Sequence, residues 1–242
     1  MEGLFSRTEL LLGEDAMKKL VSSRVAVFGI GGVGGYAVEA LARCGVGALD
    51  LIDHDTIAAS NINRQIIATE ENIGALKTDI AAKRIALINS ECQVTTYPVF
   101  FLPENEGEFD FRQFDYIIDA VDTVSAKFAL IEKAKREGTN IISSMGAGNK
   151  LDPTAFQVAD IYETSVCPLA RVIRAGCRKR GINHLKVVYS EEKPIYPYEN
   201  ADLKTDENQS MSQPPGSVSF VPSVVGLILA GEVIKDLVGI KK

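Results

Sequence analysis

The chain is poor in the residues that most often do acid–base and metal chemistry. It has two histidines, His54 and His184, and four cysteines, Cys44, Cys92, Cys167 and Cys177. No cysteine pair is spaced as CxxC, so no structural zinc is expected. Scattered cysteines of this kind read as reduced and buried; Cys167, followed by Pro168 in a loop, is the one worth testing for reactivity. Neither histidine is placed for acid–base work. A basic-plus-apolar leader is also lacking, which argues against secretion and for a cytoplasmic enzyme. There are no repeats and no low-complexity tracts. Positive charge is short as well: 26 Lys and Arg stand against 32 Asp and Glu, a formal net charge of −6. That balance is poor for binding a polyanion by bulk electrostatics.

The apolar fraction is ordinary at 46%, and 242 residues suffice for one domain with a sizeable core. The apolar run Val218–Leu237 approaches the length of a membrane span. Pro222, Glu232, Lys235 and Asp236 interrupt or close it. It reads as a core or interface helix, with peripheral or spanning membrane association as the alternative.

The most informative stretch is a glycine turn, Gly29-Ile30-Gly31-Gly32-Val33-Gly34. Arg24–Phe28 before it is a buried-strand pattern, and Val33–Arg43 after it is a helix pattern. Glycine lets the backbone approach a phosphate without a Cβ in the way. The helix N-terminus adds N–H groups and partial positive charge that favour an anion. A second strand, Ala48–Ile52, leads to Asp53, a carboxylate placed to hydrogen-bond a ribose. Strand, turn, helix, strand and acid in this order are more specific than the glycines alone.

A dehydrogenase needs little more than that, and here more follows. Asn61 and Arg64 lie in a polar loop, where Arg64 can act as a forked phosphate donor. Lys77 opens a helix over residues 77–89, against the helix dipole. It either faces an anion or is a solvated surface lysine. Tyr116-Ile117-Ile118 is a strand with Asp119 at its carboxyl end and Asp122 just past it. Asp122 is the candidate to hold Mg²⁺ against ATP phosphates; Asp119 is assigned a structural role, capping the following helix being one option.

Strands near 24–29, 48–53, 93–97, 115–119 and 139–144 alternate with helices near 33–44, 77–89 and 124–137. This predicts an α/β fold, a Rossmann-like, mostly parallel sheet covered on both faces. After Gly146 the pattern changes: residues 154–161 alternate as an antiparallel strand, followed by a basic helix, the strand 185–189, a long polar loop over 191–217 and a last helix. These read as a C-terminal extension of the same domain. Residues 1–150 would form the nucleotide-binding core and 151–242 a part for substrate binding and dimerisation. The loop could order over substrate.

No acidic residue occurs from Ser165 to Ser190. Arg171, Arg174 and Arg178 fall on one helical face, with Lys179 and Arg180 beside them, and Leu169, Val172, Ile173 and Cys177 are available for the other side. A local basic face on an acidic protein suits a polyanion; the plainer alternative is a solvated helix face.

The glycine turn, Asp53-His54-Asp55, Ser60-Asn61 through Arg64-Gln65, Lys77 and Asp119-Ala120-Val121-Asp122 together resemble the adenylating enzymes related to ubiquitin-activating enzymes. The resemblance implies ATP binding, with Asp53 and Asp55 in the site and adenylation of a carboxylate. It also implies a homodimer in which Arg7 reaches the partner subunit's ATP site; otherwise Arg7 is an exposed residue on a mobile N-terminal segment. Four stretches narrow it: the glycine turn followed soon by Glu39-Ala40-Leu41-Ala42-Arg43, then Asn61-Ile62-Asn63-Arg64-Gln65-Ile66, the run from Gly146 to Thr154, and the segment from Gly216 to Leu237. With these the chain is most similar to bacterial tRNA threonylcarbamoyladenosine dehydratases. That implies activation of a threonyl carboxylate on a modified adenosine beside the tRNA anticodon, then ring closure with net loss of water. A cysteine-desulfurase-type sulfur system is a further partner implied by the wider resemblance.

Two other readings compete. An activator of a sulfur-carrier protein would expect CxxC pairs and a groove for a Gly-Gly tail. An NAD-binding oxidoreductase would have no need of Arg64, Lys77 and Asp122 around the phosphates.

Overall fold

The computed structural model describes residues 3–195, 198 and 215–240. Seven strands form one sheet: β1 (Arg24–Phe28), β2 (Ala48–Ile52), β3 (Gln93–Tyr97), β4 (Tyr116–Asp119), β5 (Asn140–Ser144), β6 (Phe156–Asp160) and β7 (Lys186–Ser190). Their order is β3-β2-β1-β4-β5-β7-β6. All pairs are parallel except β6–β7, which is antiparallel. The alternating strand–helix pattern therefore reads as expected, and residues 156–160 form the antiparallel strand that their period-2 pattern predicts.

The helices are α1 (Ser6–Leu12), α2 (Glu14–Val21), α3 (Gly34–Arg43), α4 (Lys77–Ile88), α5 (Val124–Glu137), α6 (Pro168–Lys179) and α7 (Pro222–Leu237). The first two occupy the N-terminal segment for which a mobile stretch is the alternative reading. Gly13 separates them with φ +87°, and Met17 and Leu20, three residues apart, carry α2 into the core. Acids in its first turn and lysines in its last agree with the helix dipole. That pattern was legible.

The register puts Phe28 opposite both Ile52 and Asp119, and Asp119 opposite Ser143. The carboxyl ends of β2, β1, β4 and β5 are thus level. The chain runs outward from β1 to β3, then returns to β4 on the other side of β1. Ligands in open parallel sheets bind at such a reversal.

Three buried clusters pack against the sheet, one of them joining Ile173 and Cys177 of α6 to Ile131 of α5 and Val187 of β7. On one face α3, α4 and α7 pack around Val25, Val27, Leu41, Leu49 and Ile118. On the other, Phe101, Phe109, Phe111 and Phe114 gather with Phe28, whose ring lies 5.0 Å from that of Phe101. The apolar run near the C-terminus is spent inside: Val221, Val225, Leu229, Ala230, Val233 and Ile234 are buried. Among the described residues no helix is long and apolar enough to cross a membrane. Only the two ends of the 191–217 loop are described. Asn149 holds both: its carbonyl accepts from Ile195 N–H at 2.8 Å and its Oδ1 accepts from Gly216 N–H at 2.6 Å. The question of its ordering over substrate lies outside the described residues.

Candidate functional site: a nucleotide pocket at the strand ends

A pocket of about 530 Å³ opens where the carboxyl ends of β1, β2, β4 and β5 meet. That is within the usual range for a small-molecule site. The glycine turn forms one wall. Gly29 sits at φ +89°, and a Cβ there would come 2.7 Å from the Ala120 carbonyl oxygen. Any other residue would push the turn away from the loop after β4. A Cβ on Gly34 would collide with the Gly29 carbonyl, so this glycine serves the turn's closure and does not line the pocket. Gly29, Gly31 and Gly32 do line it.

Asp53 leaves the end of β2 and is buried. Its Oδ2 accepts from Ile30 N–H at 2.6 Å and its Oδ1 from Asp55 N–H at 2.8 Å. The predicted ribose acid therefore also holds the glycine turn in shape. Lys77 opens α4 and is 5% exposed, which removes the solvated-surface alternative. Its Nζ lies 2.5 Å from Asp55 Oδ2 and 3.8 Å from Asp53 Oδ2. These carboxylates offset the cost of a cation at a helix start. Arg64 donates through Nη1 to the Ser60 carbonyl at 2.8 Å and to Asn63 Oδ1 at 2.9 Å. Asn61 Oδ1 accepts from Ala58 N–H at 3.0 Å. Asp122 is exposed at the pocket and among the described residues is engaged only by the Thr123 hydroxyl, at 3.3 Å. Asp53, Asp55, Asn61, Arg64, Lys77 and Asp122 all line the one pocket.

Further residues line the pocket, among them His54 and Gln65 from the motifs that carry the resemblance. Gln65 is buried, with its Oε1 unpaired among the described residues. His54 packs against Phe100, ring centroids 4.4 Å apart. Met145–Gly148, after β5, and Leu169, on α6, close the far side. The only sequence sign of the last two was the glycine-rich run after Gly146. Asp119 does have a structural role, but it does not cap α5: the cap position is Thr123, whose side chain makes no capping hydrogen bond, and Asp119 instead pairs with Lys127.

Arg7 lies on α1, exposed and not among the residues that line the pocket. On the same helix Leu10 and Leu11 are 88% and 85% exposed. The basic helix α6 exists, but its cations are unequal. Arg174 donates to the Thr164 carbonyl and hydroxyl at 2.7 and 2.6 Å. Arg178 lies over the Tyr162 ring, and Arg180 over Phe128, paired with Glu132 at 3.2 Å. Arg171 and Lys179 are exposed and make no ion pair among the described residues. Val172, expected on the inner side, is 47% exposed; Ala170, Ile173, Gly176 and Cys177 are the buried positions. Cys167 is buried too. Burial pushes the Cys92 and Cys177 thiols up to about 11.

Comparison with known proteins points the same way. The model of the ThiF family matches residues 5–242. The tRNA threonylcarbamoyladenosine dehydratase of Bacillus subtilis (strain 168) is 43% identical over 238 residues, 96% of this chain and 94% of that protein. The crystal structure of E. coli tRNA N6-threonylcarbamoyladenosine dehydratase in complex with ATP superposes with a TM-score of 0.87 at 34% identity, covering 97% of this chain and 93% of the other. The same E. coli enzyme in complex with AMP matches with a TM-score of 0.86. With a pocket built on a glycine turn and a family model that spans it almost end to end, the chain belongs to the ThiF family.

Proposed function

We propose that this protein uses ATP to adenylate the threonyl carboxylate of N6-threonylcarbamoyladenosine in tRNA and so closes it to the cyclic form. The observation that carries the reading is the convergence of Asp53, Asn61, Arg64, Lys77 and Asp122 on one pocket around the glycine turn. The near full-length likeness to a tRNA threonylcarbamoyladenosine dehydratase supports the choice of substrate.

The chemistry follows from the site. ATP lies with its phosphates on the turn and its ribose at Asp53. Arg64 and Lys77 offset the charge of the triphosphate, and Arg7 of a second copy adds to them. A carboxylate oxygen of the substrate attacks the α-phosphorus, and pyrophosphate leaves. The carbamoyl group of the same substrate then attacks the activated acyl carbon, AMP leaves, and a proton is lost. No protein nucleophile is needed; catalysis is positioning plus charge stabilisation. Asp122 suits Mg²⁺, because its exposed carboxylate is nearly uncommitted within the protein and Mg²⁺ takes one or two carboxylates beside phosphates. Bound there, the ion would offset phosphate charge.

In this reading residues 1–150 are the nucleotide-binding core. Residues 151–242 serve tRNA binding, through Arg171, Arg174, Arg178, Lys179 and Arg180, and dimerisation. The exposed apolar face of α1 supports a homodimer that brings Arg7 across. A substrate in the tRNA pool implies a cytoplasmic protein.

The test is incubation with Mg-ATP and tRNA bearing the threonylcarbamoyl group, followed by nucleoside mass spectrometry. Loss of one water's mass from the modified adenosine, with AMP and pyrophosphate formed in equal amounts, is the expected result. ATP consumption without that mass change would overturn the substrate assignment.

A further inference from the structure

Beneath the pocket lies a charge pair that the chemistry above does not use. Lys127 is in the first turn of α5, and both it and Asp119 are fully buried, their side chains 0% exposed. Lys127 Nζ donates to both oxygens of Asp119, at 3.1 and 3.0 Å, and to the Ser144 carbonyl at 2.8 Å. It also lies 3.4 Å from Ser143 Oγ, which itself donates to Asp119 Oδ2 at 2.5 Å. Asp119 Oδ1 further accepts from Val121 N–H at 3.2 Å.

The partners are the last residues of two neighbouring parallel strands. Asp119 ends β4 and Ser144 ends β5. At these ends the chain becomes pocket wall: Ala120, Val121 and Asp122 on one side, Ser144 itself and then Met145, Gly146 and Ala147 on the other. The first residue past each end is still tied to the strand on its outer side, Ala120 N–H to the Phe28 carbonyl and Met145 N–H to the Val188 carbonyl, both at 2.8 Å, but among the described residues no backbone hydrogen bond joins the two loops to each other. Lys127 spans that gap. Stability alone is a weak reason for such a pair, since a buried ion pair can often be replaced by apolar groups without loss. Nor does it stabilise charge in the pocket directly, because Asp119 neutralises it.

We infer that Lys127, through Asp119 and Ser143, is a positioning residue: it fixes Asp122 and the Met145–Ala147 loop on opposite sides of the reacting carboxylate. This rests on the adenylation reading. A misplacement of about 1 Å can cost on the order of a hundredfold in rate, so the pair belongs to kcat more than to ATP affinity.

The experiment compares wild type with Ser143→Ala and with the charge-balanced double variant Lys127→Met/Asp119→Asn. Thermal melting checks the fold, and steady-state dehydration of modified tRNA gives kcat and the KM for ATP. Hydrogen–deuterium exchange is followed at 120–122 and 145–148. The double variant should melt as a folded protein, keep its KM for ATP within about threefold, lose about tenfold or more in kcat and exchange faster at both loops. A folded double variant with wild-type kcat overturns the inference. If the double variant does not fold, Ser143→Ala decides: a lower kcat at unchanged melting temperature upholds it, and an unchanged kcat overturns it. A wild type inactive on the tRNA would sink the adenylation reading instead. The exchange measurement then judges Lys127 alone, unchanged exchange at both loops counting against it.

Discussion

Asp53 and Asp122 are both carboxylates at strand ends, yet their surroundings give them different work. Asp53 is buried and carries the Ile30 and Asp55 amides on its two oxygens. Asp53→Ala should strip an acceptor from a buried N–H, costing about 1–3 kcal/mol of stability, and should weaken ATP binding as the turn loosens. Asp122 is exposed and among the described residues holds only one long hydroxyl contact. Asp122→Ala should leave melting within about 0.5 kcal/mol of wild type, while Mg²⁺-dependent turnover falls by about a hundredfold or more. Calorimetry of ATP binding and single-turnover kinetics separate the two effects. A normal rate in Asp122→Ala would remove the metal assignment. The residue types were legible from strand-end position, but the second duty of Asp53 was not, because its partner Ile30 is 23 positions away.

At the scale of elements, α6 and the α3–α4 pair carry separable predictions. Arg174 on α6 is tied to Thr164, whereas Arg171 and Lys179 face solvent. Arg171→Gln/Lys179→Gln should weaken tRNA binding without affecting ATP binding, and should lower the log–log salt slope by about 0.7–0.9 per lost phosphate contact. Filter binding at several salt concentrations measures this; an unaltered slope would make the basic face merely solvated. Helical spacing placed all these arginines on one face, but only packing revealed which were already committed.

Glu39 on α3 accepts from Arg84 on α4 at 2.6 and 3.0 Å and from Arg43 at 2.8 Å. Burial raises its pKa, but the two arginines outweigh burial and hold it below the usual 4.5. A lowered folded-state value means the unfolded chain binds the proton more readily. The pair's contribution is therefore complete above about pH 4.5 and is lost as pH falls through the lower folded value. Glu39→Gln should lower the melting temperature at pH 7, and the gap from wild type should narrow as pH falls below 4.5. A gap that stays constant down to pH 3 would count against this.

For the whole molecule, ligand choice is the sharpest question. A pocket that adds Arg64, Lys77 and Asp122 to a dinucleotide-type turn should favour a triphosphate. Mg-ATP at 100 times its dissociation constant should stabilise the fold by about 2.7 kcal/mol, and NAD at the same concentration by far less. Scanning fluorimetry reads this directly, and equal stabilisation by NAD would count against adenylation.

The sequence by itself determined the strand and helix order, the parallel sheet, the glycine turn and the polar residues that follow it. Those features rest on local period and on short spacings, which a linear chain displays. Tertiary structure alone decided that the residues after β5 wall the same pocket as the turn before α3, and that Lys77 lies between two carboxylates. It also decided that Asp119 answers to Lys127 and Ser143, where the strand register sets Asp119 opposite a serine 24 residues later. These facts depend on which strands lie side by side. Strand order is set by the packing of whole faces, and no local pattern in the chain carries it.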